Sequence, residues 1–410
     1  MKRRTTSKRS HSLPPAKPAA AKGRAGPSVL AALRTKIDAI DQRLIHLLHD
    51  RSALVVAVGK AKQYTGTPIY APHREAEVLE RVLRLNTESG GLLAERAIEG
   101  IWREIMSGSI QLERPMRIGY LGPKGSFSHM ASIKHFGSSA SFEDLHAIEG
   151  VFSEVARGHC DYGLVPIENS MIGGIAETLD QLILLSEPAR GKGHAGKGLA
   201  VRICAEVQLE ISHAFAAACA PSEVKRIYSK PEVFAQCRVW LATQYPKAEL
   251  IPTASSSRAM QMVAEMAAAA KASGAVCDGA AVGSVLAAEL YGLSVLFDRI
   301  ADSAENITRF FVLGRHAVAR CGRDKTAIMF STLNKPGALV RVLGDFEAQG
   351  VNLTHIEKRP SGRKNFSYTF FVDAEGHATD EPVANAIAAA AEHCKELVVL
   401  GSFPASRRVL

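Results

Sequence analysis

The sequence predicts a multidomain chain of three differently built parts. These are an all-helical block over residues 28–114, an α/β block over 115–315, and an α+β block on the ferredoxin-like βαββαβ plan over 324–410. Three observations predict this. Apolar residues recur every three or four positions through the first block. Short apolar strands alternate with helical patterns through the second. The third runs strand, helix, strand, strand, helix, strand. Residues 1–27 stand apart, with eight Lys or Arg, four Pro and no Asp or Glu, a composition that predicts a disordered basic tail.

In the helical block, Leu30, Leu33, Ile37, Ile40, Leu44, Leu47 and Leu48 mark one amphipathic helix over residues 28–64. At 1.5 Å per residue it is about 50 Å long or more, and a helix of that length wants a partner subunit or a coiled neighbour. Thr65-Gly66-Thr67-Pro68 ends it. Further helices are predicted over residues 73–86 and 92–112, the last with Ile98, Ile101, Trp102, Ile105 and Met106 on one side.

The α/β block opens with a strand at Arg117–Leu121, a Gly-Pro-Lys-Gly-Ser turn and a helix over 128–136. Strands follow at 162–167, around Tyr228, at Val276–Cys277 and at Phe310–Leu313. About 200 residues can hold one lobe or two, with binding loops at strand ends. The Gly- and charge-rich stretch 186–198 lacks the GxxxxGK[ST] order of a phosphate loop and reads as a solvated insertion. In the last block, strands are expected at Thr326–Ser331, Leu353–Glu357, Phe366–Val372 and Glu396–Gly401. Pro336 suits a helix start and Gly350 a helix stop.

The net charge of +9 does not point to nucleic acid, because the tail carries +8 of it. No stretch offers the roughly 20 apolar residues that cross a bilayer. Seven cysteines at 160, 204, 219, 237, 277, 321 and 394 include no CxxC pair. That pattern predicts free thiols in a reducing compartment, here the cytoplasm, with no structural zinc and with Cys160 and Cys237 as small buried apolar groups.

Arg51 and Lys62 lie eleven residues apart on the long helix, about three turns, so they leave the same face. Arg34 is about 100° away in phase, so a pocket using all three needs a second copy of the helix. Ser109 and Glu113 form an i,i+4 pair on the third helix. Singly, each is an ordinary solvated helix residue. Together, cations facing a hydroxyl and a carboxyl group suit a small dicarboxylic substrate.

The segments Leu33-Arg34-x-x-Ile37-Asp38-x-Ile40-Asp41, Leu47-Leu48-x-x-Arg51, Val58-Gly59-x-x-Lys62, Pro68, Arg74-Glu75 and Ile105-Met106-Ser107-x-Ser109 resemble the all-helical chorismate mutase family. The resemblance implies an intertwined dimer, with Arg34 from one chain and Arg51 from the other on the substrate carboxylates. It implies Lys62 on a carboxylate and the ether oxygen, Glu75 on the ring hydroxyl and Ser109 behind a carboxylate, with Arg74 in the same motif. The rearrangement is pericyclic and needs no nucleophile, only a held conformer and a stabilised ether oxygen. One family member carries glutamine where this chain has Glu113. An ionised Glu113 would repel the developing charge and a protonated one would donate to it, so mutase activity is expected to fall as pH rises. Ala71 replaces an aspartate that some relatives place near the hydroxyl.

Gly122-Pro123-Lys124-Gly125-Ser126-Phe127-Ser128 opens a helix after a strand and reads equally as a tight turn or an anion-binding turn. Val165-Pro166-Ile167-Glu168-Asn169-Ser170 sets polar groups directly after a buried strand, and Ala304-Glu305-Asn306-Ile307-Thr308-Arg309-Phe310 sets them before another. By themselves Thr308 is a good strand former and Arg309 a surface residue. In this order, with Tyr228-Ser229-Lys230-Pro231 and Tyr291-Gly292-Leu293, these segments resemble prephenate dehydratase over residues 117–313, apart from the insertion. That family folds as two α/β lobes around a cleft. The resemblance assigns Thr308 to protonation of the departing hydroxyl, directly or through a relay, and Arg309 to a substrate carboxylate. Ser126, Asn169 and Ser170 would position the substrate, Glu168 would orient neighbours, and Thr178 and Phe310 would join the site.

In the last block, Gly337-Ala338-Leu339-Val340, then Asn352-Leu353 and Glu357-Lys358-Arg359-Pro360, read on their own as a helix start and a surface hairpin. Their order resembles the ACT-type regulatory domain attached to dehydratases, which binds phenylalanine at a dimer interface. Lys358 stands where that motif usually has serine or threonine. The combined expectation is two enzyme sites and a sensor, acting on chorismate and prephenate and answering to L-phenylalanine, as a homodimer or larger homo-oligomer. No metal or cofactor, nucleic acid or membrane is implied. The rivals are a prephenate dehydratase whose helical block only dimerises, and a non-catalytic regulator that binds prephenate or phenylalanine.

Overall fold

The computed structural model describes residues 27–65, 70–186, 200–303, 305–360 and 368–410. Residues 1–26 of the basic tail, the helix stop at 66–68 and the insertion at 187–198 lie outside the described residues, and Pro27, expected in the tail, starts the first helix. The chain divides into two units, residues 1–54 and 55–410.

Most of helix α1 (Pro27–Thr65) makes up the described part of the first unit. Its stripe residues Leu30, Leu33, Ile37, Ile40, Leu44 and Leu47 are half or more exposed. The apolar face of the helix is thus left uncovered in the single chain.

In the second unit, α2 (Pro72–Glu88) starts on a proline, which fits where no amide hydrogen is needed. The third helix, α3 (Glu95–Glu113), begins later than expected. Leu92 lies outside it, fully exposed, after Gly90 at φ +62°. Val82, Leu83 and Ile98 close a small core with Val78 and Trp102.

The α/β block has two lobes. The first contains β1 (Arg117–Leu121), α4 (Phe127–Phe136), β2 (Ser141–Leu145), α5 (Ile148–Arg157), β3 (Tyr162–Asn169), β4 (Gly173–Gly174), α6 (Ala176–Ser186) and β5 (Arg202–Glu210). The chain then crosses to the second lobe. That lobe contains β6 (Ala214–Ala217), β7 (Arg226–Ser229), α7 (Pro231–Gln236), α8 (Arg238–Gln244), β8 (Glu249–Pro252), α9 (Ser256–Ser273), β9 (Gly279–Gly283), α10 (Val285–Leu290) and β10 (Ser294–Phe297). It returns as β11 (Ile307–Gly314) to the first sheet, ordered β2-β1-β3-β11-β5, with β4 beside β3. The second sheet is ordered β10-β6-β9-β7-β8. The strand expected at Val276–Cys277 is a correction: left-handed Gly274 ends α9, those residues are irregular, and the strand is β9, whose small buried residues gave no β signal.

The last block contains β12 (Asp324–Thr332), α11 (Ala338–Ala348), β13 (Leu353–Pro360), β14 (Tyr368–Glu375), α12 (Glu381–His393) and β15 (Cys394–Pro404), with strand order β13-β14-β12-β15. This is the ferredoxin-like plan. Period-two alternation gives the sheet two apolar faces. Ile328, Phe330, Val372 and Ala374 pack under α11 and α12. Ala327, Met329 and Phe371 instead join Val165, Ile203, Phe311 and Leu313 of the first lobe in one core. The sensor-like sheet is therefore built onto the strands that carry the expected dehydratase residues.

Among the described residues, no helix is long and apolar enough to cross a membrane. Cys160 and Cys237 are free and buried, and burial pushes both thiols up to about 12.

Candidate functional site

The strand ends of the first lobe gather the expected dehydratase residues. Ser126 follows β1 and caps α4, accepting from the His129 N–H at 3.2 Å and donating to the Leu121 carbonyl at 3.0 Å. Asn169 ends β3 and sits in register with Thr308 at the start of β11. The Asn169 carboxamide oxygen accepts from the Met171 and Ile172 N–H groups at 3.0 and 3.2 Å, which fixes its orientation. Its Nδ2 then donates to Thr308 Oγ1 at 2.9 Å and to Asn306 Oδ1 at 2.8 Å. Ser170 Oγ accepts from the Ile307 N–H at 3.0 Å and donates to the Glu305 carbonyl at 3.1 Å. Thr308 accepts from Asn169, so its own hydroxyl proton is directed elsewhere.

The second lobe reaches this end of the sheet in two places. Ser284 Oγ donates to the Gly125 carbonyl at 2.6 Å, and Ser257 and Tyr291 donate to the Lys124 carbonyl. Gly125 has φ +80°, and a side chain there would strike the α10 backbone, so the close approach requires glycine. The other place is an amide chain: Asn306 Nδ2 donates to Gln236 Oε1 at 3.2 Å, and His213 Nε2 donates to the same oxygen at 2.7 Å. Burial pushes His213 below its usual range, with Gln236 pulling the other way, so the ring stays neutral.

Four residues expected in this site are placed elsewhere. Thr178 is fully buried, and its hydroxyl donates to the Pro166 carbonyl at 2.6 Å, tying α6 to β3. Phe310 lies in the apolar core of the first lobe with Leu164, Val207 and Val312. Arg309 points to the opposite face of β11, because strand neighbours alternate. It donates to Glu206 at 2.9 Å and to Asp373 of β14, and Glu168 lies 3.8 Å away. The guanidinium expected for a substrate carboxylate is thus held by the chain's own acids. Glu168, beside Asn169 in sequence, also faces this side, 3.4 Å from His355.

In the helical block, Lys62 Nζ lies 3.3 Å from Glu113 Oε2, and Glu113 packs on Gly59 one turn away. Ser109 is buried and donates back to the Ile105 carbonyl at 2.6 Å. Arg34 is exposed, Arg51 is half-buried, and Arg74 pairs with Glu77 at 2.7 Å. Glu75 lines a different cavity, of about 90 Å³, with Tyr70, Arg103, His135 and Ser406. Burial pushes its carboxyl up to about 7, with Arg103 pulling it down. His135 is pushed down to about 3 by burial and by Arg103. Neutral His135 Nε2 therefore accepts from the Tyr70 hydroxyl at 2.7 Å.

Known proteins resemble this arrangement along its length. Family models match in order: chorismate mutase type II over residues 33–114, prephenate dehydratase over 118–318 and the ACT domain over 326–392. A bifunctional chorismate mutase/prephenate dehydratase of Aquifex aeolicus is 38% identical over 92% of this chain and 98% of its own. The protein of that name from Stutzerimonas stutzeri is 37% identical over 92% and 97%. The chain belongs to the bifunctional chorismate mutase/prephenate dehydratase family. The solved prephenate dehydratase of Arthrobacter aurescens in complex with L-Phe is 32% identical, with a TM-score of 0.58, over 70% of this chain and 90% of that one.

The residues expected to bind phenylalanine fall into separate groups. Gly337, at φ +74°, caps α11, followed by buried Ala338, partly buried Leu339 and exposed Val340. Asn352 and Leu353 follow the other end of α11, eleven helical residues away. Glu357, Lys358 and Arg359 lie within β13, and Pro360 ends it. Glu357 packs against Gly174, and Arg359 grips Asp180 of α6 at 2.9 and 2.5 Å, so both face the dehydratase lobe. Lys358 alternates to the other face, 5.4 Å from the Tyr368 ring.

Sequence reasoning did not single out Asn306, Gln236 and His213 as site residues. Asn306 had a signal, since it lies two residues before Thr308 and so on the same side of the strand. Gln236 and His213 had none, because their role arises only where two lobes meet.

Proposed function

We propose that the chain converts chorismate to prephenate by a pericyclic rearrangement. It then converts prephenate to phenylpyruvate, carbon dioxide and water, under inhibition by L-phenylalanine. The observation that carries this reading is the Asn169–Thr308 pair, set at the sheet end within a chain whose relatives share both enzyme names over nearly its full length. In the second reaction the C–C bond to the ring carboxylate breaks. Its electrons aromatise the ring, and the C–O bond to the hydroxyl breaks as that oxygen takes a proton. Thr308 is suited to direct that proton: it accepts from Asn169, which leaves its own O–H for the leaving oxygen. Threonine is a weak acid, so Thr308 works as the last member of a relay ending in water or a substrate carboxyl.

For the mutase step, Arg34, Arg51, Lys62, Arg74, Glu75 and Ser109 are the proposed binding groups, with Arg34 from a second copy. The exposed stripe of α1 supports a homodimer through that helix. The sensor supports it too. Gly337–Val340 and Asn352–Leu353 flank a helix about 16 Å long, a separation that favours a site shared between two copies over one within a single copy. Seven free cysteines support a reducing, cytoplasmic setting.

The test is incubation of pure protein with chorismate, followed by product analysis without acid, with and without millimolar phenylalanine. Prephenate should appear transiently and phenylpyruvate should accumulate, more slowly when phenylalanine is present. Prephenate turnover without chorismate depletion would leave the dehydratase alone with a dimerising helical block. Binding without turnover of either compound would favour the regulator.

A further inference from the structure

Arg309 is the residue after Thr308, and its buried side chain passes between the two packed sheets. It meets Glu206 of β5 at 2.9 Å and Asp373 of β14, and its guanidinium lies 5.0 Å from the Phe311 ring centre. Glu206 in turn accepts from Lys325 of β12 at 3.0 Å and from the Ser406 N–H at 2.8 Å. Burial alone would push Glu206 up, but Arg309 and Lys325 hold it below the usual carboxylate range. Glu168 completes the rim, 3.8 Å from Arg309 and 3.4 Å from His355 of β13.

Two features tie this cluster to the chemistry. The register pairs Thr308 with Asn169 and Arg309 with Glu168, so both members of the reacting pair have their sequence neighbours in the cluster. The β3–β11 pairing also shifts register between Arg309 and Phe310, where the ladder alone does not fix the strand. A buried, multiply bonded guanidinium supplies the missing constraint. Asp373 and Lys325 belong to the sensor sheet, so part of that constraint is imposed by the sensor.

We propose that Asp373 is a positioning residue for the dehydratase reaction: by holding Arg309 from the sensor sheet, it sets β11 and the direction of the Thr308 hydroxyl. This rests on the dehydratase reading above. Phenylalanine would then act on turnover by moving β14, without reaching the substrate.

The experiment uses the full chain. Wild-type turnover of prephenate is measured first, and absence of phenylpyruvate there refutes the dehydratase reading itself. Asp373→Asn keeps the shape and removes the charge. It should lower dehydratase kcat about tenfold or more, keep KM for prephenate within about twofold, shift the phenylalanine inhibition curve and leave the mutase rate unchanged. Asp373→Glu should restore part of kcat. Arg320→Gln breaks an exposed ion pair to Asp380 at the sensor boundary and should change neither rate. If Asp373→Asn does not accumulate as folded protein, Lys325→Gln, which reaches the same Glu206, is read by the same measures. An unchanged kcat in the variant overturns the inference, as does a loss shared equally by the mutase rate or by Arg320→Gln, since either result makes the cluster mere adhesion between domains.

Discussion

The two candidate enzyme sites are built from opposite materials. The candidate dehydratase residues Thr308, Asn169, Asn306 and Gln236 are neutral amides and a hydroxyl, joined with neutral His213 into one chain of hydrogen bonds across two lobes. The residues expected for the mutase, Arg34, Arg51, Lys62, Arg74, Glu75 and Glu113, are all ionisable groups carried on helices, and the stripe of α1 beneath the first of them is exposed. A network of mutually oriented neutral dipoles is set before substrate arrives. An ionic pocket binds a dianion strongly but depends on which of its own charges are paired when the substrate comes.

The sharpest break of that comparison is at Thr308. Thr308→Ala removes the hydroxyl at the end of the network and leaves Asn169 with Asn306 as its partner. Dehydratase kcat should fall on the order of 100-fold, with the mutase rate within twofold of wild type. Chorismate would then be converted to prephenate that accumulates, which product analysis reads directly. Equal loss of both activities would mean that the sites are not separate.

How much of this was legible in the sequence follows from the same contrast. The three-part architecture was readable because period, length and turn chemistry are local properties. The α1 stripe, Gly350 after α11 and the strand at Arg117–Leu121 all came through. The motif Thr308-Arg309-Phe310 gave the place but not the directions. Three consecutive strand residues go to a site, an inter-domain ion cluster and a core, and only the packing of the sheets decides which goes where. The contacts of Glu357 and Arg359 with Gly174 and Asp180 were not legible for the same reason, because nothing in their sequence shows which face of β13 meets the dehydratase lobe. Strand β9, all Gly, Ala and Val, was missed because small residues carry little β propensity until burial selects them.

A smaller effect probes the ionic side. Glu113 sits 3.3 Å from Lys62, so the cation expected on the ether oxygen already has an anion beside it. Glu113→Gln removes that anion and places a neutral donor in its position. Its mutase rate should exceed wild type by roughly five- to tenfold, with the dehydratase rate within twofold of wild type. An unchanged mutase rate would show that Glu113 does not oppose the developing charge, and the contrast between a neutral and an ionic site would lose its consequence for rate.

The smallest effect concerns stability and lies at Glu75. Its carboxyl is pushed from an ordinary value near 4.5 up to about 7 by burial, against the pull of Arg103. The folded chain thus holds this proton more tightly than the unfolded chain does. The sign follows: below about pH 4.5 both states are protonated and the group costs nothing. Between 4.5 and 7 the unfolded state ionises first and folding loses stability, and above 7 the loss is complete. Glu75→Gln removes the titration while keeping a polar group in the cavity. Its melting temperature should match wild type near pH 4.5 and exceed it by roughly 2 to 6 °C at pH 8, after allowance for the partial exposure of the group. Differential scanning calorimetry at the two pH values measures this. An equal shift at both would trace the effect to packing, and would leave the helical block no more sensitive to pH than the neutral network of the dehydratase lobes.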